Sequence, residues 1–250
     1  MMQPVPSTAH PSPNFNNRPD GQPVDMLVLH YTNMPSAELA LARLCDPATE
    51  VSAHYLIDED GQIFALVDEE KRAWHAGVAA WAGQKDINGC SIGIELAHIG
   101  HHEDGSCDAF PAAQMISLAA LAADIIKRHP IPPHRVLAHS DVAPDRKIDP
   151  GEAFDWMFLA EKNIGLWPQM PQEKDPPRPL YIRGDRGTEI TGLQRALASF
   201  GYAVTVDGDF GAQTEFVIRA FQRHYRPWQV DGHGDHETLA RLMDMLAQLG

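Results

Sequence analysis

The stretch DMLVLHYT, residues 25–32, decides the fold. Its apolar residues follow one another almost without interruption, which predicts an interior strand. The apolar run ends on His30, so the sequence places an imidazole at the end of a buried strand. A rigid scaffold aims functional side chains into a cleft from such positions, and His30 is therefore a candidate functional residue.

A second apolar run, RVLA at residues 135–138, predicts the end of another short buried strand. The polar loop that follows it contains an imidazole, an ammonium and a carboxylate, on His139, Lys147 and Asp149. By itself this loop also fits a solvated polar turn with one incidental histidine. The functional interpretation therefore depends on groups from other parts of the chain.

A third run, CSIGIEL at residues 90–96, carries Glu95 near the end of its apolar segment. A carboxylate at such a place costs free energy unless it faces a cation, a metal-bound water or a hydrogen-bond donor. Together, His30, His139 and Asp149 supply three groups that bind zinc. A catalytic zinc site uses three protein ligands and leaves a fourth position open for water, and Glu95 need not be a ligand.

The segments between these runs predict how the strands are arranged. Ser36 can cap a helix over residues 36–44, and residues 52–57 and 62–67 form a hairpin around the turn DEDG. Residues 111–128 have helical periodicity, with Pro111 in the first turn. The order strand, helix, hairpin, strand, helix, strand predicts an α/β fold with a mixed central β-sheet covered by helices.

The composition along the chain predicts four segments. Residues 1–23 are rich in proline and asparagine and predict an extended N-terminal tail. Residues 24–167 form the α/β domain with the candidate zinc site. Five prolines crowd residues 168–180, which predicts a semi-rigid linker. Residues 181–250 remain for a small separate domain.

This last segment predicts a small three-helix domain. Helical patterns cover residues 190–200, 212–224 and 236–249, and the turn-rich stretch DGDFG at 207–211 separates the first two helices. The segment itself suggests no catalytic cluster. His233 and His236 are better interpreted as surface residues than as metal ligands.

The charge of the chain argues against two classes of partner. The chain has 20 lysines and arginines and 34 aspartates and glutamates, which gives a net charge of −14. Such a chain is a poor match for nucleic acid or for an anionic membrane. An anionic ligand would need cations that are concentrated locally. No apolar run approaches the roughly 18–20 residues that span a bilayer.

The cysteines and the first residues bear on the location of the protein. Cys45, Cys90 and Cys107 cannot all pair and match no metal-binding spacing, so we expect free thiols that are mostly buried. The first residues show no basic segment followed by an apolar one, as a secretory signal would. Both observations favour the cytoplasm. The periplasm stays open if the sequence lacks its natural start.

Three further residues are candidates for lining a groove. His54 lies on the first arm of the predicted hairpin, and Trp74 and His75 follow the hairpin in the segment KRAWHAG. Each of them fits a core position about as well as a substrate-lining position. The histidine-rich stretch HIGHHED at residues 98–104 is better interpreted as a solvated loop than as a metal site.

Five blocks together resemble the type-2 family of zinc-dependent N-acetylmuramoyl-L-alanine amidases. They cover about residues 24–167 and are HYT at His30, SAHYLI at Ser52, AWHAG at Ala73, SIGIEL at Ser91 and AHSDVAPDRKIDPG at Ala138. The C-terminal segment resembles a three-helix peptidoglycan-binding module through LQRALASFGY at residues 193–202, VDGDFGAQT at 206–214 and FQ at 221–222.

The resemblance implies a complete active site. It implies one Zn²⁺ bound by His30, His139 and Asp149, with Glu95 and Lys147 as the catalytic pair. It also implies the substrate, which is the amide between the lactyl group of N-acetylmuramic acid, or its 1,6-anhydro form, and L-alanine. A zinc-activated water would cleave this amide in cell-wall turnover or muropeptide recycling.

Further residues are implied as substrate contacts, and the expected partners are peptidoglycan fragments or murein. The contacts are Arg72, Asn88, His54, Trp74 and His75. Two rival functions share this fold or this chemistry. A non-catalytic peptidoglycan-binding protein would not need the ligands together with Glu95 and Lys147, and a zinc peptidase would cut within the stem peptide.

Overall fold

The computed structural model describes residues 5–172 and 178–250 of the chain. The strands in these residues are β1 (Thr8–Ala9), β2 (Phe15–Asn17), β3 (Met26–Tyr31), β4 (Tyr55–Ile57), β5 (Ile63–Ala65), β6 (Lys71–Ala73), β7 (Ser91–Leu96), β8 (Val136–Ala138), β9 (Pro179–Tyr181) and β10 (Gly234–Asp235). The helices are α1 (Ala37–Cys45), α2 (Ile87–Cys90), α3 (Ala112–Arg128), α4 (His139–Val142), α5 (Trp156–Ala160), α6 (Thr188–Phe200), α7 (Ala212–Tyr225) and α8 (His236–Ala247). No helix of these residues is long and apolar enough to cross a membrane.

Six strands form the central sheet in the order β1-β5-β4-β7-β3-β8. The opening stretch of the sequence is β3, which lies between β7 and β8 and pairs with both in parallel. β4 and β5 form the predicted antiparallel hairpin, so the sheet is mixed and the predicted α/β fold is confirmed. The register of β3 and β7 places His30 directly beside Glu95.

The core on one face of the sheet explains why β3 holds its position. Every residue of β3 is buried, as an interior strand requires. Leu27 and Leu29 of β3 belong to the same apolar cluster as Leu118 and Ile125 of α3. Each such side chain contributes about 1.5–3 kcal/mol when it is fully buried. The strand that carries His30 is therefore anchored by the main core.

The two long helices of the α/β domain begin close to the predicted residues. Ser36 caps α1 as predicted, because its side chain accepts a hydrogen bond from the backbone N–H of Leu39. α3 begins at Ala112, and Pro111 precedes it as the N-cap residue with an extended ψ of 139°. The prediction that placed Pro111 within the first turn was wrong by one residue.

The N-terminal segment is extended, but it is bound along the α/β domain. β1 pairs with β5 and β2 pairs with β6, so residues 5–23 contribute to two sheets. The guanidinium of Arg18 donates hydrogen bonds to the carbonyls of Glu69, Asn88, Gly89 and Ser91 at 2.9–3.1 Å. A free tail would leave those carbonyls without this donor, so the segment is part of the domain structure.

The C-terminal segment contains the three predicted helices, α6, α7 and α8. A short antiparallel pair of β9 and β10, which the sequence did not predict, closes the segment at one side. The predicted linker at 168–180 includes residues 173–177, which lie outside the described residues. The part before these residues contacts α8, because the backbone N–H of Gln169 donates a hydrogen bond to Oδ2 of Asp244 at 2.8 Å. The domain boundaries themselves stay predictions.

The helical segment packs directly against the α/β domain. Trp81 of the α/β domain shares an apolar cluster with Phe200 and Tyr202. The rings of Trp81 and Tyr202 meet edge to face, with centroids 4.8 Å apart. Asp141, in the short helix that follows β8, is fully buried at the same junction. The two parts of the molecule thus share one continuous core.

Candidate metal centre

Three buried side chains from separate elements meet beyond the ends of β3 and β8. His30 lies on β3, His139 is the first residue of α4, and Asp149 lies in the loop that follows α4. The Nδ1 atoms of the two histidines are 2.9 Å apart. Oδ2 of Asp149 lies 3.2 Å from Nδ1 of His30 and 2.9 Å from Nδ1 of His139. Among the histidines, cysteines and carboxylates of the described residues, these three form the one group whose ligand atoms are close enough to share a metal ion.

These three ligand atoms fit a divalent ion. In a tetrahedral zinc site with bonds of about 2.0–2.1 Å, adjacent ligand atoms are about 3.3 Å apart, close to the observed separations. Nε2 of His139 lies 3.1 Å from the carbonyl oxygen of Ala76. A carbonyl only accepts hydrogen bonds, so Nε2 of His139 carries the proton and Nδ1 presents a lone pair. The donor set therefore matches two imidazoles and one carboxylate around a common point.

The electrostatics of the three groups favour the forms that bind a metal. The pKa of His30 is lowered to about 4, chiefly by burial and secondly by the neighbouring His139. Burial raises the pKa of Asp149, but the two imidazoles beside its carboxylate, that of His139 above all, outweigh burial and lower this pKa below its usual range. A neutral imidazole and an ionised carboxylate are the forms that bind metals.

Glu95 lies beside His30 on the neighbouring strand and faces the same centre. Its Oε2 atom is shielded from solvent and has no hydrogen-bond partner in the described part of the chain. Burial, together with the negative charge of Asp149, raises the pKa of Glu95 to about 8, and Lys147 acts in the opposite direction. A buried polar atom without a partner is costly, so it points to a group that the site is built to receive.

The candidate centre opens into a cleft of about 710 Å³. Trp74, His75, Glu95 and Lys147 line this cleft together with His139 and Asp149. The predicted catalytic pair and two of the three predicted ligands therefore line one cavity, and the third ligand, His30, contacts both of those ligands. Their catalytic and metal-binding roles stay predictions.

The other predicted substrate contacts lie outside this lining. Arg72 forms an ion pair with Asp86, with atoms 2.7 Å apart. Asn88 is buried, and its Oδ1 accepts backbone hydrogen bonds from residues 75 and 76 at 3.1 and 2.8 Å. His54 is fully buried, and its Nδ1 accepts a hydrogen bond from the N–H of Gly93 at 3.0 Å. The structure gives each of these three side chains a partner within the protein.

The stretch at residues 98–104 is only in part the solvated loop that the sequence predicted, because residues 102–104 are exposed but His98 and His101 are not. His98 is only 6 % exposed and stacks on Phe110, with centroids 4.2 Å apart. His101 lines the cleft and contacts Tyr31 and Glu152 at 3.2 and 3.0 Å. The sequence gave no local signal for His101, because its partners are 70 and 51 residues away.

The three cysteines are less uniformly buried than the sequence predicted. Cys90 is buried, whereas Cys45 and Cys107 are partly exposed.

Two histidines and one aspartate that could hold a metal ion, with a shielded glutamate beside them, form an arrangement typical of metal-dependent hydrolases. The sequence matches the N-acetylmuramoyl-L-alanine amidase family over residues 20–152 and the peptidoglycan binding domain family over residues 186–242. The chain belongs to the N-acetylmuramoyl-L-alanine amidase family, and the predicted enzyme class, a hydrolase, is confirmed.

Individual relatives cover most of the chain. It is 38% identical over 240 residues to the N-acetylmuramoyl-L-alanine amidase AmiD of Escherichia coli K12, which covers 91% of this chain and 84% of that protein. It is also 38% identical over 163 residues to the 1,6-anhydro-N-acetylmuramyl-L-alanine amidase AmpD of the same organism, which covers 58% of this chain and 86% of that protein.

Solved structures confirm that the similarity extends through both parts of the molecule. The structure of Escherichia coli AmiD in complex with the substrate anhydro-N-acetylmuramic acid-L-Ala-D-gamma-Glu-L-Lys matches with a TM-score of 0.79 and 36% identity, covering 94% of this chain and 93% of that chain. AmpDH3 from Pseudomonas aeruginosa matches with a TM-score of 0.74 and 33% identity, covering 92% of this chain and 94% of that chain.

Proposed function

We propose that the protein uses one Zn²⁺ to hydrolyse the amide between N-acetylmuramic acid, or its 1,6-anhydro form, and L-alanine. The observation that carries this proposal is the triangle of ligand atoms on His30, His139 and Asp149, with Glu95 beside it. The family membership supports the bond that is cleaved. The buried ligand set supports the metal.

Each residue of the centre has a distinct chemical task. When bound, zinc polarises a carbonyl oxygen and makes a water nucleophilic near neutral pH. His30 and His139 would hold the ion through Nδ1, and the carboxylate of Asp149 would offset part of its charge. Softer thiolate ligands are absent from this set in the described residues, which fits a hydrolytic centre more closely than a structural one.

Glu95 moves the proton in the proposed reaction. It accepts a proton from the attacking water and then gives it to the nitrogen of the departing L-alanine, since an amine leaves poorly unless it is protonated. The pKa of about 8, to which burial raises this carboxyl group, supports its holding a proton near neutral pH. A bound cation would lower that pKa and prepare the carboxylate to act as a base.

Lys147 supplies positive charge where the amide carbonyl develops negative charge. Its ammonium lines the same cleft as Glu95. A well-placed donor of this kind lowers the activation free energy by roughly 3–4 kcal/mol in comparable sites. We infer that Lys147 stabilises the tetrahedral oxyanion while Glu95 transfers the proton.

The charge of the cleft supports a muropeptide as substrate. Although the chain carries a net charge of −14, Arg43, Arg146 and Lys147 all line the cleft. These cations can receive the carboxylates of a stem peptide. The solved complexes of AmiD and AmpDH3 with anhydromuramyl peptides support the anhydro form as the substrate, and the helical domain supports peptidoglycan fragments as partners.

A cytoplasmic location stays a prediction. The unpaired thiols of Cys45, Cys90 and Cys107 support a reducing compartment. Cell fractionation with an antibody against the protein tests this location. Recovery in the periplasmic fraction would overturn it.

The experiment that tests the proposed function follows the products of a defined substrate. The purified protein is incubated with anhydro-N-acetylmuramyl tripeptide, and the products are identified by mass spectrometry. We expect free anhydro-N-acetylmuramic acid and intact tripeptide, loss of activity after dialysis against a chelator, and recovery with one equivalent of zinc. Peptide fragments without free sugar would indicate a zinc peptidase, and an unchanged substrate would indicate a binding protein.

A further inference from the structure

We propose that His75 is a positioning residue that sets the tautomer of His30, so that Nδ1 of His30 presents its lone pair to the metal. This inference rests on the proposed zinc function and assigns a residue that supports one ligand of that centre. Three hydrogen bonds support this inference. They run in sequence from His30 through His75 and Ser91 to the backbone carbonyl of Ile87 in α2.

The chain runs through four buried groups. Nε2 of His30 lies 3.0 Å from Nδ1 of His75. Nε2 of His75 lies 3.1 Å from Oγ of Ser91, and that hydroxyl lies 2.6 Å from the carbonyl oxygen of Ile87. Because His30, His75 and Ser91 are at most 8 % exposed, these bonds face little competition from water.

The direction of every bond follows from the carbonyl end. The carbonyl oxygen of Ile87 only accepts, so the single hydroxyl proton of Ser91 is donated to it. Oγ of Ser91 must then accept the proton on Nε2 of His75. A neutral His75 therefore has a lone pair on Nδ1, which accepts the proton on Nε2 of His30. Nδ1 of His30 is left without a proton and can bind a metal ion.

The packing around His75 leaves its ring little freedom. A Cβ atom built on Gly93 would lie 2.4 Å from Cγ of His75, so only glycine leaves room for the ring at that position. The rings of His30 and His75 meet edge to face, with centroids 5.1 Å apart. Rotation of the imidazole would break two hydrogen bonds at once. The position of His75 is consequently determined by its surroundings.

One short segment orients both metal-binding histidines. The side chain of His75 contacts His30, and the carbonyl of the next residue, Ala76, accepts the proton on Nε2 of His139. Asn88 fixes this segment, because its Oδ1 accepts the backbone N–H groups of both His75 and Ala76. Partners of metal-binding histidines commonly fix the tautomer and the ring orientation in this way.

This arrangement replaces the substrate-contact role that the sequence suggested for His75. Both ring nitrogens of His75 are occupied by His30 and Ser91 within the protein. The ring still borders the cleft, but no ring nitrogen remains to bind a substrate. His75 should therefore affect the affinity of the protein for zinc and not its affinity for substrate.

Three variants test this chain of hydrogen bonds: two remove a partner at different points, and one restores an acceptor. His75→Leu removes the acceptor for His30, and we expect zinc to bind about 10- to 100-fold more weakly, the usual cost of losing such a partner. Ser91→Ala keeps His75 but removes the bond that fixes its tautomer, so we expect a smaller loss of zinc affinity. His75→Asn places an amide oxygen near the position of Nδ1, and it should recover most of the affinity lost in His75→Leu.

The measurement is the zinc dissociation constant of the full chain, obtained by competition with a chromophoric chelator. His98→Leu is the matched control, because His98 is also buried and uses both ring nitrogens within the protein, but it does not contact His30. We expect this control to bind zinc like the wild type. Nitrogen NMR of the histidine rings adds a direct readout, with the Nε2-protonated form of His30 expected in the wild type.

The outcomes separate this inference from the proposed function. If the wild type binds zinc and both His75→Leu and Ser91→Ala bind it equally tightly, the role of His75 is wrong and the zinc centre stands. If the wild type binds no zinc, the proposed function fails and the inference fails with it. Should His75→Leu not fold, Ser91→Ala and the ring NMR spectrum still decide the matter.

Discussion

At the scale of single residues, Glu95 is the group whose surroundings differ most from those of an ordinary carboxyl. It lies beside His30, its Oε2 atom has no partner among the described residues, and burial raises its pKa to about 8. A structural carboxylate of the molecule, Asp141, contrasts with it. Asp141 is fully buried, and its carboxylate accepts three hydrogen bonds. The lack of a partner for Oε2 of Glu95 among the described residues therefore points to chemistry rather than to packing.

Glu95→Gln should lower the rate of hydrolysis by about 100- to 10,000-fold, because a general acid–base group contributes that much. The amide keeps the shape of the side chain but cannot accept and return a proton. Zinc content, measured by atomic emission, should stay at the wild-type level. Glu161→Gln at an exposed position is the matched control, and near wild-type turnover in Glu95→Gln would remove Glu95 from the mechanism.

Asp149→Ala should lose most of its bound zinc after dialysis, because it removes the one carboxylate of the ligand triangle. Two neutral imidazoles alone hold a divalent ion more weakly. The measurement is metal content per chain, with Asp145→Ala in the same loop as the control for general damage. Full zinc occupancy in Asp149→Ala would show that Asp149 is not a ligand.

At the scale of elements, the helical domain contains two copies of one turn motif, each built around a glutamine side chain. The side chain of Gln194 donates to Asp207, Asp209 and Thr214 and accepts from the backbone N–H groups of residues 207 and 208. Gln222 does the same with the turn after α7, through Asp231, Gly232, His233 and Thr238. The repeated letters QR, VDG and T were visible in the sequence, but their shared hydrogen bonds were not.

Gln222→Ala should lower the free energy of unfolding by about 2–3 kcal/mol, because it leaves buried donors and acceptors of the turn without partners. Gln213→Ala is the matched control, since Gln213 is exposed and makes a single hydrogen bond, to the N–H of Thr205. Urea unfolding followed by circular dichroism measures both. Equal stability of the two variants would contradict the role of the repeated glutamine.

A second feature at this scale is a carboxylate that joins the hairpin to α3 and does not line the cleft. Glu69 contacts Tyr55, Arg128 and His129 at 2.6–2.7 Å. Burial opposes ionisation of Glu69, but hydrogen bonds from Arg128, Tyr55 and His129 outweigh it and lower the pKa of Glu69 to about 2. The folded state therefore holds this carboxylate ionised more strongly than the unfolded state does.

This pKa shift predicts a specific pH dependence of stability. A lowered folded-state pKa stabilises the fold above the unfolded pKa of about 4.3, and that stabilisation disappears as the pH falls toward 2. Glu69→Gln should therefore be less stable than the wild type at pH 6, and the difference should shrink between pH 4 and pH 2. Thermal unfolding across this range measures it, with the exposed Glu70→Gln as control. A constant difference at all pH values would disprove the linkage.

At the scale of the whole molecule, Asp141 joins α4, which carries the proposed ligand His139, to the helical domain. Tyr202 and His224 contact the two carboxylate oxygens of Asp141, each at 2.6 Å. His224 also stacks between Trp156 and Tyr225, with centroids 3.6 and 3.9 Å apart. Because Asp141 lies two residues after His139, the helical domain supports the short helix that carries a proposed ligand. The module is thus a structural part of the enzyme.

Tyr202→Phe should destabilise both domains together by about 1.5–3 kcal/mol, the contribution of a hydrogen bond to a charged group. The shared core predicts one cooperative unfolding transition instead of two. Calorimetry and tryptophan fluorescence should give the same midpoint, and both midpoints should shift together in the variant. Tyr181→Phe is the control, because the hydroxyl of Tyr181 is not among the groups that donate to Asp141. Two separate transitions in the wild type would show that the domains unfold independently.

The sequence by itself determined the elements and the candidate centre. The uninterrupted apolar run of β3, the Ser36 cap of α1 and the periodicity of α3 act over a few residues, so local pattern was enough to predict them. The resemblance of five short blocks to a known family then led to the same ligands that the residue types had suggested. The parallel pairing of β3 and β8 accounts for the approach of His30 and His139, and the loop after α4 brings Asp149 to them.

Only the tertiary structure decided how the centre is supported. His75 contacts His30 across 45 residues, and Tyr202 contacts Asp141 across 61 residues. Such hydrogen bonds depend on strand register, ring orientation and domain packing, none of which has a local sequence signal. The attachment of the N-terminal segment and the shared core of the two domains are of the same kind, because they arise when distant surfaces exclude water from one another.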